Sequence, residues 1–186
     1  KQKKKFVDLI DKITWTNKLT KKTINLEGKE INEVQVFEIK IKVKSDIKEI
    51  LEIIDKSIPY HIIFILSYQD SMMISTSQKH LNPLNLDKAV VDWRFNTDWF
   101  IASENKFQLN LKKNIDFIYA DLCAQITGYA IEKRNMNDIV KYNQQITNLK
   151  SQIQQLVSKI KSEKQFNKKV ELNLELKKLE ATLKTF

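Results

Sequence analysis

Apolar positions in the stretch FVDLIDKITW fall at Phe6, Leu9, Ile10 and Ile13, the spacing of one helical face. They predict a short amphipathic helix from about Lys4 to Trp15. The following TNKLTKKTINLEGKEIN is polar and reads as a connection with room for short extended pieces, and with a turn at Gly28. EVQVFEIKIKVKS then changes the period from 3.6 to 2. Phe37, Ile39, Ile41 and Val43 alternate with Glu38, Lys40, Lys42 and Lys44, so this strand has one buried and one wet face. Val34 and Val36 share the Glu38 face and cover its start.

SDIKEILEIIDKSIP returns to helical spacing through Ile47, Ile50, Leu51 and Ile54. Asp46 and Glu49 are placed for a capping box and Pro59 for the stop. YHIIFILSY reads as a buried central strand. SMMISTSQK is its hairpin partner across QDS. DKAVVDWRF puts Val91, Trp93 and Phe95 on one face, and KFQLNL is a further short strand candidate. NIDFIYADLCAQITGYAIE is a helix with Ile115, Ile118, Leu122 and Ile126 in register, in which Gly128 is tolerated or makes a kink. These elements predict an α+β head over residues 1–134, a mostly antiparallel sheet of four or five strands with helices on one face.

The last third has a different pattern. Ile139, Tyr142, Ile146, Leu149, Ile153, Leu156 and Ile160 follow a 3,4 spacing, the seam of a heptad. It fails at Glu163 and Asn167, and a second seam, out of phase, runs through Leu172, Leu176, Leu179, Leu183 and Phe186. Residues 135–186 are expected to form a coiled-coil-like antiparallel helical hairpin. A continuous helix with a skip is the alternative, and seams that do not close on each other would pair two chains as a homodimer.

Composition adds bounds. With 186 residues a core without staples is feasible. Two glycines and two prolines leave no material for glycine-built phosphate loops. One cysteine excludes an internal disulfide framework and fits the cytoplasm. No apolar run approaches the roughly 18 residues needed to span a bilayer, so no membrane partner is expected. The opening KQKKKF lacks a Met, and the natural N-terminus is expected further upstream. The net charge of +9 is uneven. Residues 1–30 hold nine bases against four acids, residues 31–130 eleven against thirteen, and residues 131–186 twelve against six. Basic ends attract nucleic acid or an acidic partner, and they also serve as a solubilising surface.

Candidate chemistry is sparse. Glu38 and Lys40 form an E-x-K on a strand, the pair with which restriction-type nucleases hold a metal and position water. No convincing upstream Asp completes it, and alternation alone produces the pattern. His61, His80 and Cys123 lack the spacing of a metal site, so no metal and no cofactor are expected. VDWRFNTDWF gathers Trp93, Phe95, Trp99 and Phe100 around Arg94, an arrangement that can stack bases or simply fill the core. At the hairpin tip Lys161, Lys164, Lys168 and Lys169 cluster with Gln165, Phe166, Asn167 and Asn173. That tip is either a contact surface for phosphates or a solvated helix end closed by Phe166.

The stretches ITWTNKLTKKTINL, EVQVFEIKIK, IDKSIPYHIIFIL, NTDWF and EKQFNKKVELNLELKKL together resemble the bacterial family known as domain of unknown function 4391. The likeness covers most of the chain in order. That family usually begins with a further segment before the first helix. The resemblance marks Trp15, Glu33, Gln35, Asp55, Pro59, Lys79, Thr97, Trp99, Gln165, Asn167, Lys169 and Asn173 as positions to carry over. It also implies a setting near DNA modification or phage defence, since members tend to be encoded beside DNA methyltransferases and helicases.

The function expected from these readings is an accessory module that docks a protein partner, such as a DNA methyltransferase or helicase, through its helical arm. Direct nucleic-acid binding by the basic ends is the second reading and a metal-dependent nuclease at Glu38 and Lys40 the third. The candidate binding residues are Lys164, Gln165, Asn167, Lys168, Lys169, Asn173, Lys79, Arg94 and Trp99.

Overall fold

The computed structural model describes residues 2–130 and 135–186. The chain divides into two compact units, Lys1–Ile139 and Val140–Phe186. The expected boundary between 134 and 135, and the Ile131–Glu132 end of the helix predicted over NIDFIYADLCAQITGYAIE, fall on or beside the segment outside the described residues.

The first unit is α+β. In chain order it holds α1 (Gln2–Leu9), β1 (Ile10–Leu19), α2 (Lys21–Ile24), β2 (Val34–Ile41), α3 (Lys48–Ser57), β3 (His61–Tyr68), β4 (Ser71–Asn82), β5 (Asn85–Asn96), β6 (Phe100–Ile101) and α4 (Ile115–Thr127). The strands form one six-stranded sheet in the order β1-β2-β3-β4-β5. β6 pairs with the Ser71–Met72 end of β4. Among the described residues only β2 and β3, joined through α3, run parallel; the other pairings are antiparallel.

The predicted first helix is therefore half right. It stops at Leu9, and Ile13, Thr14 and Trp15 join the sheet opposite Ile39, Glu38 and Phe37. The Trp15 ring stacks on Phe37 at 6.2 Å. β-Branched and aromatic residues gain more against a sheet neighbour than on a frayed helix, so tertiary pairing overrides the local period. KFQLNL is not a strand, because its backbone is held at Gln108 by the Gln125 amide, which donates to the carbonyl at 2.9 Å and accepts from the N–H at 3.0 Å. The expected capping box before α3 does not form either. Ile47 is the N-cap residue, and Asp46 Oδ1 accepts from the Lys48 N–H at 2.9 Å instead.

Helices cover both faces of the sheet, a correction to the one-sided arrangement. Ile47, Ile50 and Leu51 at α3 pack with Ile39, Ile41, Ile62, Phe64 and Leu66 on one face. Each such side chain contributes about 1.5–3 kcal/mol by leaving water. On the opposite face, His61 of β3 meets Tyr119 of α4 edge-on at 4.7 Å. The Tyr119 hydroxyl donates to the Ser77 carbonyl at 2.6 Å and accepts from its N–H at 3.2 Å. β3 is thus buried on both sides at Ile62, Ile63 and Phe64, as a strand with a parallel neighbour requires. The β4–β5 register slips by one residue between Gln78 and Lys79. Trp93 pairs with Gln78 but Val91 with Lys79, so Val91 leaves the face that it was expected to share with Trp93 and Phe95.

α4 begins at Asn114, whose side chain accepts from the Phe117 N–H at 2.8 Å. Gly128 neither sits within the helix nor kinks it. It ends it, in the left-handed conformation at φ 74°, where glycine escapes the Cβ penalty.

In the second unit, α5 (Met136–Ser162, entered from the first unit) and α6 (Phe166–Lys184) pack together as an antiparallel pair. Tyr142 near the start of the pair donates its hydroxyl to the Phe186 carbonyl at 2.6 Å, and the two rings lie 5.5 Å apart. The turn between the helices is tied by Glu163, whose carboxylate accepts the N–H groups of Lys164 and Gln165 at 2.8 and 2.9 Å. Phe166 does not close the pair; it is 77% exposed.

Candidate functional site

α3 carries Asp55 into the sheet from its last turns, with no exposed surface left on the residue. Ser77 and Lys79 reach it from β4 and Arg94 from β5, on the same face. Asp55 accepts from the Ser77 hydroxyl at 2.9 Å, from the Lys79 ammonium at 3.1 Å and from the Arg94 guanidinium. Lys79 also donates to the carbonyls of Asp55 at 3.0 Å and Ile58 at 2.9 Å. These carbonyls belong to the C-terminal end of α3, where acceptors lack helical partners and the dipole is negative. One buried ammonium therefore neutralises a carboxylate and caps a helix. Burial lowers the Lys79 pKa, and the Asp55 carboxylate opposes that shift.

The other face opens between β3, β4, α4 and the segment at 29–33 into a cleft of about 950 Å³. A built clasp holds one wall. The Asp116 carboxylate, in the first turn of α4, accepts the N–H groups of Lys29, Glu30 and Ile31 at 2.7, 2.9 and 3.0 Å. Burial would raise its pKa, but the three backbone donors outweigh it and hold the group below the ordinary carboxylate value. At the rim Glu33 pairs with Lys18 at 2.7 Å and accepts from the Gln35 amide at 2.7 Å. On the cleft side of β3, burial first and the Lys79 charge second push His61 down to about 4, against the opposing pull of Asp55 and Asp116. The ring is neutral near pH 7. Burial also raises the Tyr119 hydroxyl and the Cys123 thiol, so the cysteine is a packed side chain without thiolate character.

The sequence-derived candidates fall in three places. Lys79 and Arg94 come together, but on Asp55 inside the fold rather than on a surface. Trp99 packs against the α3-side core with the Lys44 ammonium 5.2 Å from its ring. Lys164, Gln165, Asn167, Lys168, Lys169 and Asn173 are all exposed at the start of α6, and Asn173 Nδ2 donates to the Lys169 carbonyl at 2.7 Å. Glu38 and Lys40 point to solvent, with Asp11 3.5 Å from Lys40. No group of three or more His, Cys, Asp or Glu side chains that could hold a metal ion occurs among the described residues. Nor is any helix among them long and apolar enough to cross a membrane.

Two features escaped sequence reasoning. Gln78 and Asp116 carried no motif, and only the strand register and the return of α4 bring them to the cleft. The second is a stripe on α6. Phe166, Val170 and Leu174 are 77%, 43% and 57% exposed, whereas Leu172, Leu176, Leu179 and Leu183 are half-buried in the seam. At about 100° per residue the stripe lies roughly 150° round the helix from the seam. The i, i+4, i+8 spacing was legible but was masked by the stronger heptad.

A family model described as domain of unknown function (DUF4391) matches residues 1–183. No curated protein and no solved structure matches the chain.

Proposed function

The chain belongs to the family described as domain of unknown function (DUF4391), and on that premise, which names no activity, we propose that the protein is an accessory module that binds another protein through its helical arm. The observation that carries this reading is the outward stripe of Phe166, Val170 and Leu174. Apolar side chains in line on the solvent side of an amphipathic helix are the feature by which a helix lies in a partner's groove. By helical position Asn167, Asn173, Lys177 and Lys178 border the stripe. The matching partner surface is an apolar groove with an acidic rim.

The finer form of the proposal places the partner among DNA methyltransferases or helicases of a modification or phage-defence complex, in the cytoplasm. The family resemblance motivates that setting. Direct nucleic-acid binding by the lysines at 164, 168 and 169 is the second reading, supported by their common exposure at the turn. Homodimers through the same stripe are a third outcome. The nuclease reading has the least support, since Glu38 stands exposed and no metal-holding group of His, Cys, Asp or Glu occurs among the described residues.

The test compares capture from nuclease-treated lysate by the full chain and by Phe166→Asp/Leu174→Asp. A partner that survives nuclease and is lost with the double variant, at unchanged helicity, supports docking by the stripe. Equal capture by both rejects it. Capture of nucleic acid alone, falling steeply with salt, favours the second reading.

A further inference from the structure

The cleft under α4 has two polar groups on its floor that the fold itself does not use. The antiparallel β3–β4 ladder ends at the Ile63–Thr76 pair, and two residues beyond it on each strand stand His61 and Gln78, which alternation places on the same face as that pair. Both line the cleft. His61 Nε2 and Gln78 Oε1 are buried with no hydrogen-bond partner among the described residues. Buried polar atoms are nearly always paired, so two orphans on residues lining one cleft call for a ligand.

Their setting narrows the ligand. The His61 ring is fixed by its edge contact with Tyr119, itself anchored to β4. Burial keeps the imidazole neutral, so one ring nitrogen donates and the other accepts. A neutral imidazole and a carboxamide lining one cleft suit a planar edge carrying both donor and acceptor groups, as purines and pyrimidines do. Phe117 and Tyr60 supply aromatic surface at the walls. The mouth carries Lys29 and Lys113 against Glu30 and Glu33, a balance of sign that gives no purchase to a phosphate. The volume lies within the range of small-molecule sites.

We propose that this cleft binds a nucleoside, its base edge hydrogen-bonded by His61 Nε2 and Gln78 Oε1 and its sugar toward the mouth. The site lies in the first unit, and the start of α5 at Met136 and Asn137 also lines it.

The full chain is titrated with adenosine, guanosine, cytidine and uridine, and with their 5′-monophosphates, by calorimetry and by the imidazole Cε1–H resonances. The chain has two histidines, and His80→Gln identifies which signal is His61. At least one nucleoside is expected to saturate and to shift the His61 signal, the monophosphate binding no more than threefold tighter. Gln78→Met is expected to weaken binding at least tenfold. The proposal is overturned if no nucleoside moves the His61 signal at millimolar concentration. It is equally overturned if a monophosphate binds more than tenfold tighter than its nucleoside, or if a folded Gln78→Met binds as the parent does. The His61 readout on the parent chain decides the matter even where Gln78→Met does not fold.

Discussion

Asp55→Ala is expected to be among the most damaging single substitutions in this chain. The substitution removes the carboxylate that Lys79, Arg94 and Ser77 share. Arg94 retains some contact with water, but Lys79 is only 2% exposed and is left as a buried, uncompensated cation with two carbonyl partners. Breaking a buried pair in this way costs about 3–5 kcal/mol, against a total of about 5–15 kcal/mol for a typical domain. With a urea slope of about 2 kcal/mol per molar, the midpoint moves down by about 2 M. Tryptophan fluorescence is the assay of choice, because Trp15, Trp93 and Trp99 all lie in the first unit. The signal reports on that unit and is silent for the helical pair. Asp55→Leu with Lys79→Met replaces the ions by apolar groups of similar size and is expected to recover more than half of the loss. A loss below about 1 kcal/mol for Asp55→Ala would refute the claim that its carboxylate neutralises Lys79. A double variant no better than the single would show that the penalty comes from packing, not from a stranded charge.

Two further predictions concern His61 and the glycines. His61 is pushed from its ordinary 6.5 to about 4 in the fold, so between these pH values the unfolded chain binds more protons than the folded one. Stability falls as pH drops through that window, by at most about 3 kcal/mol, and levels below it. Urea midpoints across pH 7 to 4 are expected to show that slope in the parent and a flatter one in His61→Leu; equal slopes would assign the effect to other groups. Gly28→Ala would bring a Cβ to 1.8 Å from the Ile31 carbonyl oxygen, whereas at Gly128 nothing lies within 4 Å and only the positive φ resists a side chain. The former is expected to cost more than about 2 kcal/mol and the latter about 1 kcal/mol, and thermal midpoints in the reverse order would contradict this account of the 28–31 turn.

Local period was enough to find β2, α3, β3 and α4, because each of them sets its own buried face. It failed where partners decide. Phe6, Leu9, Ile10 and Ile13 satisfy a helical template, yet only the first two are helical, since Ile13 and Trp15 have better neighbours on β2. The wet face expected of β2 hid the second helical layer, although Val34 and Val36 already pointed to it. The Gln78–Lys79 register slip is invisible in a string of residues and alone moves Val91 across the sheet. For the candidate sites, the failure of the heptad at Glu163 and Asn167 located the exposed turn before α6. The resemblance marked Asp55 and Lys79, but nothing in one dimension says that they bond to each other, or that His61 and Gln78 line one cleft.

The outer strands of the sheet have a consequence for how copies of this protein meet. β1 holds one border, and extra residues at Asp11 and Thr16 interrupt its ladder against β2. Its lysines at 12 and 18 are exposed. β5, at the other end of the strand order, is interrupted twice against β4 and carries exposed Lys88 and Asp92. Bulges twist these borders out of line for a further strand, and pairing two copies there would bring like charges close together. The lysine-rich composition, read first as a lure for partners, thus also works as insulation: it keeps a sheet with open margins from growing into the next molecule during synthesis, when many copies are crowded and half-made.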